Sequence, residues 1–174
     1  DRLARRWAIP PSIRSLGEPM RHPGPVSHVR FSPDGAFVVT VSADVAFLWS
    51  RADVPEMVMP HSAEVVAAAF GPDGRTVVTA SRDGHAYVWS ADDRRTRPRV
   101  VRVPVEAVDR ILSPGGERLL ALKPAHAPSG TPDVLELQFY DVRSAGALGP
   151  PVPFDARLRA TAFRADGGAV AIAQ

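Results

Sequence analysis

The groups in this 174-residue chain that can move protons or bind metals are five histidines and 19 acidic residues; there is no cysteine. His61 and Asp83 would form an imidazole–carboxylate dyad for general-base chemistry if the fold brought them together. Glu64 and Glu106 would make a paired-carboxylate acid/base site. His28, Arg30, Asp109 and Arg110 are polar where an aligned segment is Ala67-Ala68-Ala69, which makes them candidates for lining a channel and holding a small ligand or ion. The basic run Arg94, Arg95, Arg97, Arg99 and Arg102 is the candidate for nucleic acid.

Most of these readings weaken on inspection of spacing. The arginines sit beside Asp92 and Asp93 with no interleaved aromatic residue for base stacking, so nucleic acid is not the expected partner. Histidines 22, 28, 61, 85 and 126 are scattered without close ligand spacing, and no metal or cofactor is expected. No phosphate loop, nucleophile elbow or kinase signature is present, which argues against an enzyme. Without cysteine there is neither a disulfide framework nor a thiolate nucleophile. All of the 21 basic residues except Lys123 are arginine, yet the net charge is only +2, and 45% of residues are hydrophobic, enough for one folded domain.

The elements that position these residues are set by a repeat. Residues 22–50 read HPGPVSHVRFSPDGAFVVTVSADVAFLWS, and residues 61–90 read HSAEVVAAAFGPDGRTVVTASRDGHAYVWS. Similarity at such a period marks an array in which neighbouring units bury each other's apolar faces. The shared turn recurs as Ser32-Pro33-Asp34-Gly35, Gly71-Pro72-Asp73-Gly74, Ser113-Pro114-Gly115-Gly116 and Arg164-Ala165-Asp166-Gly167, each after Phe31, Phe70, Leu112 or Phe163. Proline presets the first central φ and glycine supplies a positive one, so each predicts a hairpin. Third turn positions at 34, 73, 115 and 166 give spacings of 39, 42 and 51, the last stretched by a Pro-rich loop over 123–133.

The flanking runs are short, β-branched and without helical period. First strands are predicted over 26–31, 65–70, 107–112 and 158–163, and second strands over 37–41, 76–80, 118–122 and 169–173. Third strands end at Trp49, Trp89 and Tyr140, and short fourth ones run over 56–59, 98–103 and 149–153. Four strands per unit predict an all-β fold of antiparallel four-stranded propeller blades, about four blade-equivalents with a split terminal blade.

With those residues in place, the chain resembles the WD-repeat β-propellers, most strongly over 22–90. The resemblance implies a polar tetrad in each blade, carried here by His61, Ser81, Asp83 and Trp89, and in a shortened form by His22, Ser42, Asp44 and Trp49. Such a relay sets an acceptor carboxylate and a donor indole at its ends, and it makes His61 and Asp83 structural. Val103 and Phe154 stand where the third and fourth units would have the histidine. The wording of residues 16–26 and of FSPDG is similar to bacterial WD arrays that follow a signalling domain.

The expected organisation is a half-blade over 1–21, repeats over 22–60 and 61–102, a degenerate repeat over 103–153, and a half-blade over 154–174. The two halves are complementary, so 3–20 could supply third and fourth strands to the final hairpin; an excerpt of a longer propeller is the first expectation, head-to-tail closure of two copies the second and self-closure as four blades the third. The expected function is a non-catalytic scaffold for a protein or peptide, inside a larger regulatory protein and in the cytoplasm, with Glu64, Arg82, Glu106 and Arg157 on the binding face. The alternative is a propeller enzyme or small-ligand binder using acidic residues at the channel. The longest strongly apolar stretch, 65–70, is too short to span a bilayer.

Overall fold

The computed structural model describes residues 2–8, 14–15, 17–50, 55–93, 95–103, 109–124, 134–144, 146–155 and 160–173. Every regular element among them is a strand. Two small antiparallel sheets come first, β1 (Leu3–Ala4) with β4 (Met20–Arg21) and β2 (Trp7–Ala8) with β3 (Arg14–Ser15). Blade one is β5 (His28–Phe31), β6 (Val38–Ser42), β7 (Val45–Trp49) and β8 (Met57–Pro60). Blade two is β9 (Val65–Phe70), β10 (Thr76–Ser81), β11 (His85–Ser90) and β12 (Arg99–Arg102). Blade three is β13 (Asp109–Leu112), β14 (Arg118–Pro124), β15 (Val134–Asp141) and β16 (Val152–Asp155). A last hairpin pairs β17 (Ala160–Phe163) with β18 (Val170–Ala173).

The four hairpin turns are built alike. The N–H groups of Gly35, Gly74, Gly116 and Gly167 donate to the carbonyls of Ser32, Gly71, Ser113 and Arg164 at 2.9, 3.0, 2.8 and 2.8 Å. All four glycines have φ between 65° and 69°, the left-handed region closed to most side chains. In three turns an aspartate locks the loop: Asp34 Oδ1 accepts from Ala36 N at 3.0 Å, Asp73 Oδ1 from Arg75 N at 2.9 Å, and Asp166 Oδ1 from Gly168 N at 2.8 Å. Gly115 takes that place in blade three, where Ser113 Oγ instead accepts from Arg118 N at 3.1 Å.

Packing follows from the two-residue period of a strand, which sends neighbours to opposite faces. On β6, Val38 joins Ala4, Met20, Phe47 and Trp49, while Val39 and Val41 face blade two. On β10, Val77 packs with blade one and Val78 and Ala80 pack with blade three. On β14, Leu119 and Ala121 face blade two and Leu120 and Leu122 face the last hairpin. The second strands β6 and β10 read as apolar runs broken only by Thr40 and Thr79 before their terminal serines, because each is buried on both sides. Main-chain bonds stitch the blades where one repeat begins: His22 N to Arg2 O at 3.0 Å, His61 N to Asp44 O at 2.9 Å, and Val103 N to Gly84 O at 2.8 Å.

Among the described residues β18 pairs with β17 alone and the sheets do not close, so of the three arrangements expected self-closure as four blades is not seen; Phe31 is 58% exposed and Trp7 55% exposed. Two expectations need correction. The insertion begins later than 123, because β14 and β15 extend the hairpin through the pairs Lys123↔Glu136 and Pro124↔Leu135; residues 125–133 lie outside the described ones. The outer strand of blade three is Val152–Asp155, not 149–153, because Gly149 has φ 80° and turns the chain first.

Candidate interaction face and central channel

Each of the first two complete blades holds a buried three-residue relay. His61 Nε2 lies 2.7 Å from Thr79 Oγ1, which accepts the Trp89 indole N–H at 3.0 Å. His22 Nε2 lies 2.7 Å from Thr40 Oγ1, which accepts from Trp49 Nε1 at 2.8 Å. The hydroxyl between imidazole and indole is therefore threonine, and Ser42 and Ser81 do not fill that place. Ser81 Oγ donates to Ala63 O at 3.0 Å, tying the loop before β9 to the turn after β10, and Ser42 Oγ is buried without a partner among the described residues. The residues two positions apart share a strand face, and the one nearer the middle of the strand reaches the indole. Burial holds the imidazoles of His22 and His61 below their usual pKa.

Asp83 is not bonded to His61. Its carboxylate accepts from Ser62 Oγ at 2.5 Å, Tyr87 Oη at 2.7 Å and His85 N at 2.9 Å, with His85 Nδ1 at 3.3 Å. Burial alone would raise its pKa, but these hydrogen bonds outweigh it and hold the acid at about 2. Blade one cannot build this cluster: Phe47 pairs opposite Thr40 where Tyr87 pairs opposite Thr79, and Asp44 is exposed. Its β6–β7 turn is also one residue shorter, which places Ala43 at φ 54° where blade two has Gly84 at φ 86° nearby.

Blade three replaces the relay wholesale. Val103, Ala121 and Tyr140 hold the corresponding places and lie together in one apolar cluster with Leu119 and Val142. Removing both partners of a buried polar contact costs little, whereas removing one leaves a desolvated group. This explains why histidine, threonine and tryptophan disappear together.

On the rim, Arg82 Nε donates to Glu64 Oε2 at 2.7 Å, and Arg82 N to Glu64 O at 2.9 Å. Both side chains are more than half exposed, so the pair contributes little to stability. It fixes two charges at the junction of the loop before β9 and the turn after β10. Glu106 and Arg157 lie outside the described residues.

The inner strands β5, β9, β13 and β17 share one cavity of about 510 Å³, lined by His28, Arg30 and Phe31, by the Ala67-Ala68-Ala69 floor, by Leu112 to Pro114 and by Thr161 to Phe163. His28 and Arg30 thus meet the channel. Asp109 and Arg110 are strand residues paired with Leu122 and Ala121, and their side chains lie outside the described ones. Among the described residues no group of acids and histidines is arranged to hold a metal ion.

Within the basic run, Arg95, Arg97 and Arg102 are exposed, and Arg94 lies outside the described residues. Arg99 crosses to blade three, donating through Nη1 to Arg143 O at 2.5 Å and through Nη2 to Val142 O at 3.1 Å. Arg118 does the same one blade on, to Gly167 O at 2.6 Å, and Arg6 reaches Ser50 O at 2.7 Å. The sequence run of arginines hid this role, which an arginine facing the next unit's carbonyls at each junction would have signalled.

Four-stranded antiparallel sheets packed face to face around inner strands that share a cavity define propeller blades. The family profile described as WD domain, G-beta repeat matches residues 14–50 and 55–90, and these two units are WD repeats. No curated protein matches the chain. No helix among the described residues is long and apolar enough to cross a membrane.

Proposed function

We propose that this chain is a non-catalytic scaffold that binds a protein or peptide through the loops leading into its inner strands and the turns after its second strands. The observation that carries this reading is how the reactive groups are used. Asp83 accepts three side-chain and main-chain donors, and His61 is half-buried against Thr79 and Trp89. Glu64 is water-exposed and bound to Arg82 rather than facing a second carboxylate, which is poor geometry for a general acid. What the face offers outward is the Glu64–Arg82 charge pair of blade two; Glu106 and Arg157 are the matching sequence positions of the next two units. WD repeats generally mediate protein–protein contacts, and the finer reading places this chain inside a larger regulatory protein.

The test is selection of peptide binders against the chain, followed by binding to the Glu64→Arg/Arg82→Glu double variant. This exchange keeps the ion pair and reverses its polarity. Binders from this face should lose at least about tenfold in affinity, on the order of 1.4 kcal/mol; binders unaffected by the exchange would place the site elsewhere. A second reading, a small ligand in the channel, is favoured by the cavity beside His28 and Arg30. Arg30→Ala would abolish binding of such a ligand and leave the rim binders unchanged.

A further inference from the structure

We propose that this chain carries an acid-sensitive joint, in which protonation of His22 and His61 loosens the first two blade junctions while the third holds. The two histidines stand where the chain passes from one blade to the next, and each is tied to both sides. Its own N–H donates to a carbonyl of the preceding unit, Arg2 O for His22 and Asp44 O for His61, and its ring meets the threonine of its own blade. Trp49 belongs to the core between the first half-blade and blade one, and Trp89 to the core between blades one and two. Loosening either ring therefore loosens a junction.

The chemistry of protonation is unfavourable at both sites. A neutral imidazole presents one donor and one acceptor, and either tautomer can satisfy the threonine through Nε2. The imidazolium has two donors, and Nδ1 of both rings is buried without a well-formed hydrogen bond among the described residues; the main-chain groups of Met20 and Arg2 beside His22, and of Asp44 and Met59 beside His61, favour the cation, but burial outweighs them. The second donor arises at Nδ1 when the neutral ring carries its proton on Nε2; in the other tautomer protonation falls on Nε2 and turns Thr79 Oγ1, which already accepts from Trp89, into an acceptor twice over, its own hydrogen losing that partner. His22 is enclosed by Phe47 and Trp49, with ring centroids 5.3 and 5.2 Å away. His61 is faced by the rings of Tyr87 and Trp89, with Asp44 in the turn of blade one and Asp83 and His85 in blade two around it. Those carboxylates favour the cation, but burial outweighs them.

The third junction is an internal control. Val103 occupies the equivalent position, donates the equivalent main-chain bond to Gly84 O at 2.8 Å, and has no group to protonate. The three amides of His22, His61 and Val103 are therefore matched reporters of the three junctions.

Hydrogen exchange followed residue by residue at about pH 7.5 and about pH 5, corrected for intrinsic rates, reads them directly. Protection of the His22 and His61 amides should fall by up to about tenfold per pH unit, one proton each, while that of Val103 is unchanged. Equal loss at all three, or at none, would overturn the proposal. A variant giving blade two the residues of blade three, His61→Val/Thr79→Ala/Trp89→Tyr, should lose the pH response at position 61 and keep it at His22. Persistence of the response at position 61 would overturn the proposal equally.

Discussion

Replacing Thr79 by valine keeps the size and strand preference of the side chain but leaves the Trp89 indole N–H and His61 Nε2 without the oxygen they share. Thr79→Val should therefore cost about 2–3 kcal/mol, against about 1 kcal/mol for Ser81→Ala, which loses its bond to Ala63 O and a long one of 3.4 Å from Asp83 N. Urea unfolding of the two variants separates them, and equal losses would return the relay to the serine. Asp83 gives a second expectation at this scale. Its folded pKa of about 2 lies below the ordinary 3.8. Its contribution is therefore complete above the unfolded value and is lost as pH falls from about 4 to about 2. Asp83→Asn should flatten the stability-versus-pH curve in that window and leave the neutral region's slope unchanged. The family resemblance pointed to histidine and tryptophan, and the aspartate it added stands outside the relay, bonded to Ser62, Tyr87 and His85. The threonine was not legible, because Thr79 and Ser81 lie on one strand face with equal chemistry, and only burial next to the indole distinguishes them.

At the scale of the element, turns decide. Gly35 and Gly116 have nearly the same φ, 69° and 65°, but a Cβ at Gly35 would meet nothing within 4 Å, whereas one at Gly116 would come to 3.0 Å from Val78 Cγ2 and 3.2 Å from Val78 Cβ. Gly35→Ala should cost the left-handed strain alone, about 1–2 kcal/mol. Gly116→Ala adds a clash with the neighbouring blade's second strand and should cost measurably more in the same unfolding assay. The converse change is Ala43→Gly in the short β6–β7 turn, where alanine sits at φ 54°. Relief of about 1–2 kcal/mol outweighs the ~0.5–1 kcal/mol entropic cost of glycine, so this variant should be more stable. The four hairpins were readable because glycine closes each turn, preceded by proline and aspartate in the first two, by proline in the third and by aspartate in the fourth, and the turn geometry follows from them. The outer strand of blade three was placed too early because Gly149 and its proline neighbours read as strand edge and act as a turn.

At the scale of the molecule, blades were legible because their period is written in the turns, while the joints between them were not, because they are made by long side chains reaching main-chain carbonyls that any sequence offers. Arg99 illustrates this. In the sequence it is one of five arginines in a run; in the fold it bridges β12 to the end of β15 through two bonds. It is also exposed, so each bond contributes modestly, and Arg99→Ala should lower stability by about 1–2 kcal/mol. Arg97→Ala should change it by less than about 0.5 kcal/mol, as ordinary surface substitutions do. The loss should be local: exchange at the Val142 amide, which donates to Glu117 O at 2.9 Å beside the bridge, should quicken while the His61 amide is unaffected. If instead both arginine variants leave stability intact and weaken binding to a polyanion alike, the run is a binding surface and the bridge is incidental. A uniform salt dependence of both variants' binding would read that outcome, since phosphate contacts release counterions in proportion to the charges removed.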